Sequence, residues 1–121
     1  MEDLEIEIKE RMMDRKMSTL KVGDLELNKD TQLAVIGSEE VQLTEFEFLT
    51  LWALAEVEGQ VISRNHLRKI VGRNDFSFFY DTRATDKLIS RLRTAIGDNG
   101  SYPRRIITVR GKGYKLVPKR G

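Results

Sequence analysis

The 121-residue chain is long enough for one domain with its own hydrophobic core, and 33% of its residues are charged although the formal net charge is only +2. It has no cysteine, which excludes disulfides, thiolate zinc sites and cysteine nucleophiles. No apolar run approaches the roughly 20 residues of a membrane span, and the acidic N-terminus is unlike a signal peptide, so a cytoplasmic protein is expected.

The small net charge hides an unequal distribution along the chain. Residues 1–60 hold 6 Lys and Arg against 15 Asp and Glu, a net charge of −9, whereas residues 61–121 hold 15 against 4, a net charge of +11. Such a difference between halves indicates a polyanionic partner. We therefore expect the second half to face nucleic acid.

Residues 1–17 form a separate segment, in which Leu4, Ile8 and Met12 recur at helical spacing. A single helix of this length is marginally stable in water. We interpret the segment as a solvated appendage. A linker, a partner-binding helix and the end of a preceding domain are the alternatives.

Residues 20–44 show the two-residue period of β-strands. Turn residues at 28–31 and 37–39 separate the runs. The hydrophobic positions that alternate with polar ones are Leu25, Leu27, Leu33, Val35, Val41 and Leu43. The pattern predicts an antiparallel sheet of three or four short strands.

Two helices are predicted to follow this sheet. Thr44, with Glu47 three residues later, has the pattern of a capping box, and the apolar run that follows is expected to end at Gly59. Ser63 is a suitable N-cap for a second, shorter helix ending near Gly72.

His66 is the only histidine, and no carboxylate or cysteine accompanies it at ligand spacing. We therefore expect no metal, no cofactor and no catalytic residue.

The segment from Arg73 to Tyr80 reads RNDFSFFY and is predicted to be a loop. It holds four of the nine Phe, Tyr and Trp residues of the chain. These aromatic side chains either pack under the sheet or present a surface to a partner. Packing is favoured for most of them.

A third helix is predicted within the stretch DTRATDKLISRLRTAI, from Arg83 to Ile96. At about 100° per residue two faces separate. The largely apolar face contains Ala84, Thr85, Leu88, Ile89, Leu92, Ala95 and Ile96. The opposite face contains Arg83, Asp86, Lys87, Ser90, Arg91, Arg93 and Thr94. Its cations suit guanine edges and phosphates, although a solvated basic face is the alternative.

A β-hairpin is predicted next, with strands Ile106–Val109 and Tyr114–Val117 around the tip Arg110-Gly111-Lys112-Gly113. A positive φ explains the two glycines, but the turn does not explain Arg110 and Lys112. Helices followed by a basic-tipped hairpin indicate a winged helix-turn-helix. The third helix would then enter the major groove and the hairpin would reach the flanking backbone or minor groove.

Three stretches, LTEFEFLTLWALAEVEGQVISRNHL, DTRATDKLISRLRTAI and IITVRGKGYKL, resemble in order the motifs of the DNA-binding effector domain of OmpR/PhoB-type response regulators. The resemblance runs from about Leu20 to Val117. It implies an α+β fold: a winged helix-turn-helix with an N-terminal antiparallel sheet, a three-helix bundle and a C-terminal β-hairpin wing. The domain would occupy residues 18–121, with residues 1–17 as a linker or the remnant of a receiver domain's last helix.

The resemblance also implies roles for individual residues, with a recognition helix at about 82–96 and a wing at 106–117. Lys87 and Arg91 would face bases, while Arg83, Ser90 and Arg93 would contact phosphates or the groove wall. The complete set of expected DNA-binding residues is Arg83, Lys87, Ser90, Arg91, Arg93, Thr94, Thr108, Arg110 and Lys112. As a departure from the family pattern, Ala84 and Thr85 replace the usual Thr-Val pair.

The loop at 72–80 corresponds to a loop that touches RNA polymerase in some members of the family. The residues expected to make such a contact are Arg73, Asn74, Asp75, Phe76, Phe78 and Phe79.

The resulting hypothesis is sequence-specific binding of double-stranded DNA for transcription control, as the effector domain of a two-component or orphan response regulator. The family usually binds tandem half-sites as a dimer, so we expect a monomer or weak dimer when the domain is isolated. A winged-helix module that binds protein through its wing or its aromatic loop is the second hypothesis. RNA binding lacks an exposed aromatic platform, and nothing supports catalysis.

Overall fold

The computed structural model of the protein describes residues 18–72, 83–98 and 100–119. The predicted appendage at 1–17 lies outside the described residues, as does the aromatic loop at 73–80 with its six expected polymerase-contacting residues.

The N-terminal part of the domain is an antiparallel sheet of four short strands in the order β1-β2-β3-β4. The strands are β1 Thr19–Val22, β2 Leu25–Asn28, β3 Leu33–Ile36 and β4 Glu39–Val41. The expectation of three or four strands is confirmed.

The register of β3 differs from the predicted alternation. Leu33 and Val35 were the expected alternating positions, but Ala34 is the fully buried residue of this strand. Ala34 pairs with Leu27, which is itself buried. Directly paired residues share one face of a sheet, so the pairing with β2 turns Ala34 inward.

The helix α1, Glu45–Glu56, begins with the predicted capping box. The Thr44 hydroxyl accepts a hydrogen bond from the Glu47 N–H at 3.3 Å, and the Glu47 carboxylate accepts one from the Thr44 N–H at 3.4 Å. The helix ends at Glu56, before the predicted stop at Gly59. Gly59 instead has a φ of +81° and donates its N–H to the Leu116 carbonyl, at 2.8 Å, in the hairpin.

Two further helices complete the bundle. α2 is Arg64–Val71, and the Ser63 hydroxyl caps it by accepting the His66 N–H at 3.1 Å. Its C-cap is Gly72, as predicted. α3 is Arg83–Ile96.

The core lies on both sides of α1, which packs against β1, α2, α3 and the hairpin. Phe48 and Trp52 stack with ring centroids 6.0 Å apart. Burial on several sides explains why α1 lacks a clear polar face. α3 contributes its predicted inner face, and its buried residues are Thr85, Leu88, Ile89, Leu92 and Ile96.

The C-terminal hairpin consists of β5 Ile106–Val109 and β6 Gly113–Leu116. β6 begins one residue earlier than predicted, so Gly113 belongs to the strand and not to the tip. A Cβ atom on Gly113 would lie 2.0 Å from the carbonyl oxygen of Ile62. The adjacent Tyr114 exchanges two backbone hydrogen bonds with Ile62, at 2.8 and 3.0 Å. Close approach of the backbones, as well as turn geometry, therefore requires this glycine.

Within the described ranges, no helix combines the length and apolar character needed to cross a membrane.

Candidate nucleic-acid interface

One face of α3 is exposed, and its residues follow helical spacing. Lys87, Ser90, Arg91 and Thr94 all point away from the core, and Arg83 is exposed one turn earlier. The Thr94 hydroxyl donates to the Ser90 carbonyl at 3.1 Å, which keeps it close to the helix surface. Among the described residues, none forms an ion pair or hydrogen bond with the side chains of Lys87 and Arg91. This face therefore offers cationic donors to an external partner.

The hairpin tip forms a second exposed cationic site. Arg110, Gly111 and Lys112 are exposed, and Gly111 has a φ of +76°. The Lys112 N–H closes the turn on the Val109 carbonyl at 2.9 Å. In the part of the chain that the structure describes, the side chains of Arg110 and Lys112 have no partner.

Arg93 requires a correction to the predicted face of α3. It was placed with the exposed polar residues, but it is half-buried and turned toward the hairpin. Its guanidinium donates to the Ile106 carbonyl at 2.8 Å and to the Thr108 hydroxyl at 2.8 Å. The hairpin packs beside the last turns of α3. The oxygens of Ile106 and Thr108 therefore accept the Arg93 hydrogen bonds that water would otherwise accept. Contact of Arg93 and Thr108 with DNA remains a prediction.

Asp86, at the first turn of α3, connects three elements. Its Oδ1 accepts a hydrogen bond from Arg64 Nε of α2 at 2.7 Å and another from the Tyr114 hydroxyl of β6 at 2.5 Å. The Arg64 and Arg93 guanidinium carbons lie 5.4 and 5.7 Å from the Tyr114 ring centroid. We call Arg64, Asp86, Arg93, Thr108 and Tyr114 the helix–hairpin network.

The titration behaviour of this network reflects its contacts. Burial raises the pKa of Asp86, but hydrogen bonds from Tyr114 and Arg64 outweigh it, so the pKa lies below its ordinary value. Burial raises the pKa of Tyr114, and its bond to Asp86 adds to the increase. Asp86 is therefore ionised and Tyr114 protonated at neutral pH, which matches the donor and acceptor roles that the geometry requires.

A separate set of contacts, which we call the hairpin base, holds the start of the hairpin. The Asp98 carboxylate accepts the backbone N–H groups of Arg104, Arg105 and Ile106 at 2.8, 3.3 and 2.9 Å. The Arg105 guanidinium makes two hydrogen bonds to the Asp24 carboxylate, at 2.7 and 3.2 Å. The hairpin base, comprising Asp24, Asp98 and Arg105, thus joins the hairpin to the β1–β2 turn.

Most of the residues expected from sequence lie at the two exposed sites. The exposed face of α3 and the hairpin tip carry Lys87, Ser90, Arg91, Thr94, Arg110 and Lys112, together with Arg83. Sequence patterns did not single out Arg64 or Tyr114, which bind Asp86 from 22 and 28 residues away in the chain. The available signal was Asp86 itself, the single acid on a face with four cations.

Within residues 18–72, 83–98 and 100–119, no three His, Cys, Asp or Glu side chains converge on a position where they could hold a metal ion.

A three-helix bundle whose last helix exposes cations beside a basic-tipped hairpin defines the chain as a winged helix-turn-helix protein. Residues 38–116 match the family described as "Transcriptional regulatory protein, C terminal". The chain belongs to this family, and the resemblance to OmpR/PhoB-type response regulators is confirmed.

Relatives with similar sequences are bacterial regulators. The transcriptional activator protein IrlR of Burkholderia pseudomallei is 38% identical over 102 residues, which cover 84% of this chain and 43% of IrlR. The transcriptional regulatory protein RstA of Escherichia coli is 37% identical over 101 residues, which cover 82% of this chain and 41% of RstA. The chain thus spans about two fifths of the length of these relatives.

Solved structures show the same fold. The DNA-binding domain of Klebsiella pneumoniae RstA, crystallised in complex with the RstA box, has a TM-score of 0.73 and 38% identity, covering 83% of this chain and 97% of that one. The DNA-binding domain of CpxR from E. coli has a TM-score of 0.69 and 36% identity, covering 84% and 98%. The predicted fold class is confirmed.

Proposed function

We propose that the chain binds double-stranded DNA sequence-specifically and thereby regulates transcription. The observation that carries this proposal is the exposed row of Lys87, Ser90, Arg91 and Thr94 on a helix whose opposite face is buried. An α-helix of this kind fits the B-DNA major groove, where Lys and Arg can bind guanine edges. The RstA domain structure with its DNA box, at 38% identity, supports the same reading.

The two exposed cationic sites suggest a division of roles. Lys87 and Arg91, in the middle of the α3 face, would contact bases, while Arg83 and Ser90 would contact phosphates. Thr108, Arg110 and Lys112 would reach the flanking backbone or minor groove from the hairpin. Arg93 would contact DNA while its guanidinium stays hydrogen-bonded to Ile106 and Thr108 of the hairpin.

Further features of the whole protein belong to the same proposal. The chain would act as the effector part of a longer response regulator, because it spans only about two fifths of its named relatives. It would bind tandem half-sites as a dimer, and contact RNA polymerase through residues 72–80. Bacterial DNA lies in the cytoplasm, so the protein would work there.

The direct test is selection of duplexes from a random DNA pool, followed by affinity measurements on the selected duplex and on a scrambled one. We expect the selected duplex to bind at least ~10³-fold more tightly. If about 5–7 phosphates are neutralised, the slope of log K against log salt should be about −4 to −6. Equal, salt-sensitive binding of both duplexes would contradict sequence-specific recognition.

The division of roles is tested by two exposed cations. Arg91→Ala should cost about 1–3 kcal/mol on the selected duplex and relax specificity at one base pair. Lys112→Ala should weaken all duplexes alike and make the salt slope about 1 unit shallower. Binding isotherms on single-base variants of the selected site measure both effects. Indistinguishable behaviour of the two variants would disprove the division.

A further inference from the structure

Asp86 presents a problem for a helix that faces DNA. It lies on the polar side of α3 between Arg83 and Lys87, and its side chain is 47% exposed. A carboxylate near the phosphate backbone repels DNA, so simple electrostatics predicts that DNA binds better without it. Its contacts within the protein point to a different role.

The contacts of Asp86 join three elements at a single oxygen atom. Oδ1 accepts both the Arg64 Nε hydrogen from α2 and the Tyr114 hydroxyl from β6. Hydrogen bonds to an ionised acceptor are stronger and shorter than neutral ones. Asp86 therefore fixes the start of α3 to the helix before it and to the strand that follows the hairpin tip.

Arg93 supplies a second attachment farther along the same helix. It donates to the Ile106 carbonyl and the Thr108 hydroxyl on β5, whereas Asp86 binds β6. Residues 86 and 93 are seven positions apart, which corresponds to about 10 Å along a helix axis. Two attachments at this separation restrict rotation of the hairpin relative to α3, which a single attachment would allow.

We propose that Asp86 is a positioning residue for DNA recognition: by binding Arg64 and Tyr114 it holds α3 and the hairpin at the mutual angle at which both sets of cations reach one DNA duplex. This inference rests on the proposed DNA-binding function. It assigns no contact with DNA to Asp86 itself.

The test is Asp86→Asn, which keeps the shape of the side chain and removes its charge. We expect the affinity for the selected duplex to fall about tenfold, which corresponds to about a tenth of the molecules holding the binding orientation once the charge of Asp86 is lost. The variant should bind the scrambled duplex at least as tightly as wild type does. Its net charge is more positive by one unit, and nonspecific binding needs no fixed geometry. The specificity ratio therefore falls.

Asp30→Asn is the matched control. Asp30 is exposed in the turn between β2 and β3, so its substitution changes the net charge equally without touching the network. We expect both duplexes to bind this variant as well as wild type or slightly better. If Asp86→Asn behaves like Asp30→Asn, Asp86 is only one more surface charge and the proposal is overturned.

Tyr114→Phe separates positioning from the favourable effect of an acid in the first turn of a helix. It removes one donor to Asp86 and leaves the carboxylate and the ring in place. We expect a smaller loss of specificity ratio than in Asp86→Asn, because the hydrogen bond from Arg64 remains, and the double variant should lose less than the sum of the two single losses, because both substitutions act on the Tyr114–Asp86 contact. Unchanged specificity in Tyr114→Phe, or additive losses, would overturn the proposal.

Loss of the positioning role can be distinguished from a folding defect and from the absence of sequence-specific DNA binding. Urea unfolding of each variant determines the folded fraction, and a fold defect would lower the affinity for both duplexes alike. If wild type itself does not distinguish the selected from the scrambled duplex, the proposed function fails. If wild type distinguishes them and Asp86→Asn does so equally well, only the positioning role fails.

Discussion

The C-terminal hairpin is held at two places by different kinds of contact. At the hairpin base, Asp98 is buried and binds three consecutive backbone N–H groups, and the side chain of Arg105 is only 5% exposed. In the helix–hairpin network, Asp86 and Arg64 form an ion pair, and their side chains are 47% and 44% exposed, respectively. Both places contain an Arg–Asp pair, but their surroundings differ.

Because of this difference, the hairpin base and the network should contribute differently to the stability of the fold and to the orientation of the hairpin relative to α3. Removing a buried acceptor leaves polar groups without partners and destabilises the fold. A half-exposed pair contributes little to stability because water competes for both partners. Such a pair still selects one relative orientation of α3 and the hairpin. We therefore expect substitution of the buried Asp98 at the base to change the free energy of unfolding, and substitutions in the network to change DNA recognition.

Gly113→Ala should give the largest effect, because it forces the hairpin strand away from the backbone of Ile62. The new Cβ would meet the Ile62 carbonyl at 2.0 Å, at a φ of +148°. We expect a loss of more than about 3 kcal/mol in the free energy of unfolding, measured in urea.

Gly111→Ala is the matched control for Gly113→Ala. It also has a positive φ, but no atom lies within 4 Å of its Cβ position. It should cost only about 1–2 kcal/mol. Equal losses in the two variants would show that φ, and not the approach to Ile62, governs both positions.

Asp98→Ala tests the hairpin base directly. Three backbone N–H groups lose their acceptor, and we expect a loss of about 2–3 kcal/mol in the free energy of unfolding. The specificity ratio of the folded fraction should stay near the wild-type value. A stable Asp98→Ala protein with poor discrimination would reverse the assignment of stability to the base.

Thr85→Val tests whether stability can change within α3 without a change in DNA binding. The Thr85 hydroxyl is buried and has no hydrogen-bond partner among the described residues. Valine has the same shape without the hydroxyl, so we expect stability to rise by about 1 kcal/mol with DNA affinity unchanged. A loss of stability in urea would indicate a hydroxyl partner beyond the described residues.

Asp24→Asn should give the smallest effect at neutral pH, since the Asp24 side chain is half-exposed. The hydrogen bond from Arg105 holds the pKa of Asp24 below its ordinary value of 3.8. The ionised form is thus favoured by folding, and its stabilisation is present above that value and lost as the pH falls through the folded pKa.

The measurement for Asp24 is the urea midpoint of wild type and Asp24→Asn at pH ~6 and at pH ~3. Wild type should be the more stable protein at the higher pH, and the difference should shrink at the lower one. A difference that does not depend on pH would exclude this ion pair as its source.

The features that sequence predicted are those encoded by neighbouring residues. The capping box at Thr44, the N-cap at Ser63 and the two faces of α3 each depend on spacings of a few residues, and the structure contains all three. The hairpin strands were also found, with an error of one residue at Gly113. Local chemistry determines such features before any tertiary contact forms.

The features that sequence did not predict depend on distant partners. The inward position of Ala34 follows from pairing with β2, and the need for Gly113 follows from Ile62. Arg93 was assigned to the exposed face because helical projection cannot show a hairpin packed beside it. The DNA-contacting roles of the individual side chains remain predictions.

The long-range attachment of the hairpin also has a consequence for the order of folding. The ladder of β5 and β6 is local and can form within microseconds. Its docking is not local, because Asp24 and Arg105 are 81 residues apart and Asp86 and Tyr114 are 28 apart. Contacts with such separations close late on the folding route. Substitutions at these contacts should therefore accelerate unfolding while leaving the refolding rate almost unchanged, and the surface proposed to meet DNA should be the last to be assembled.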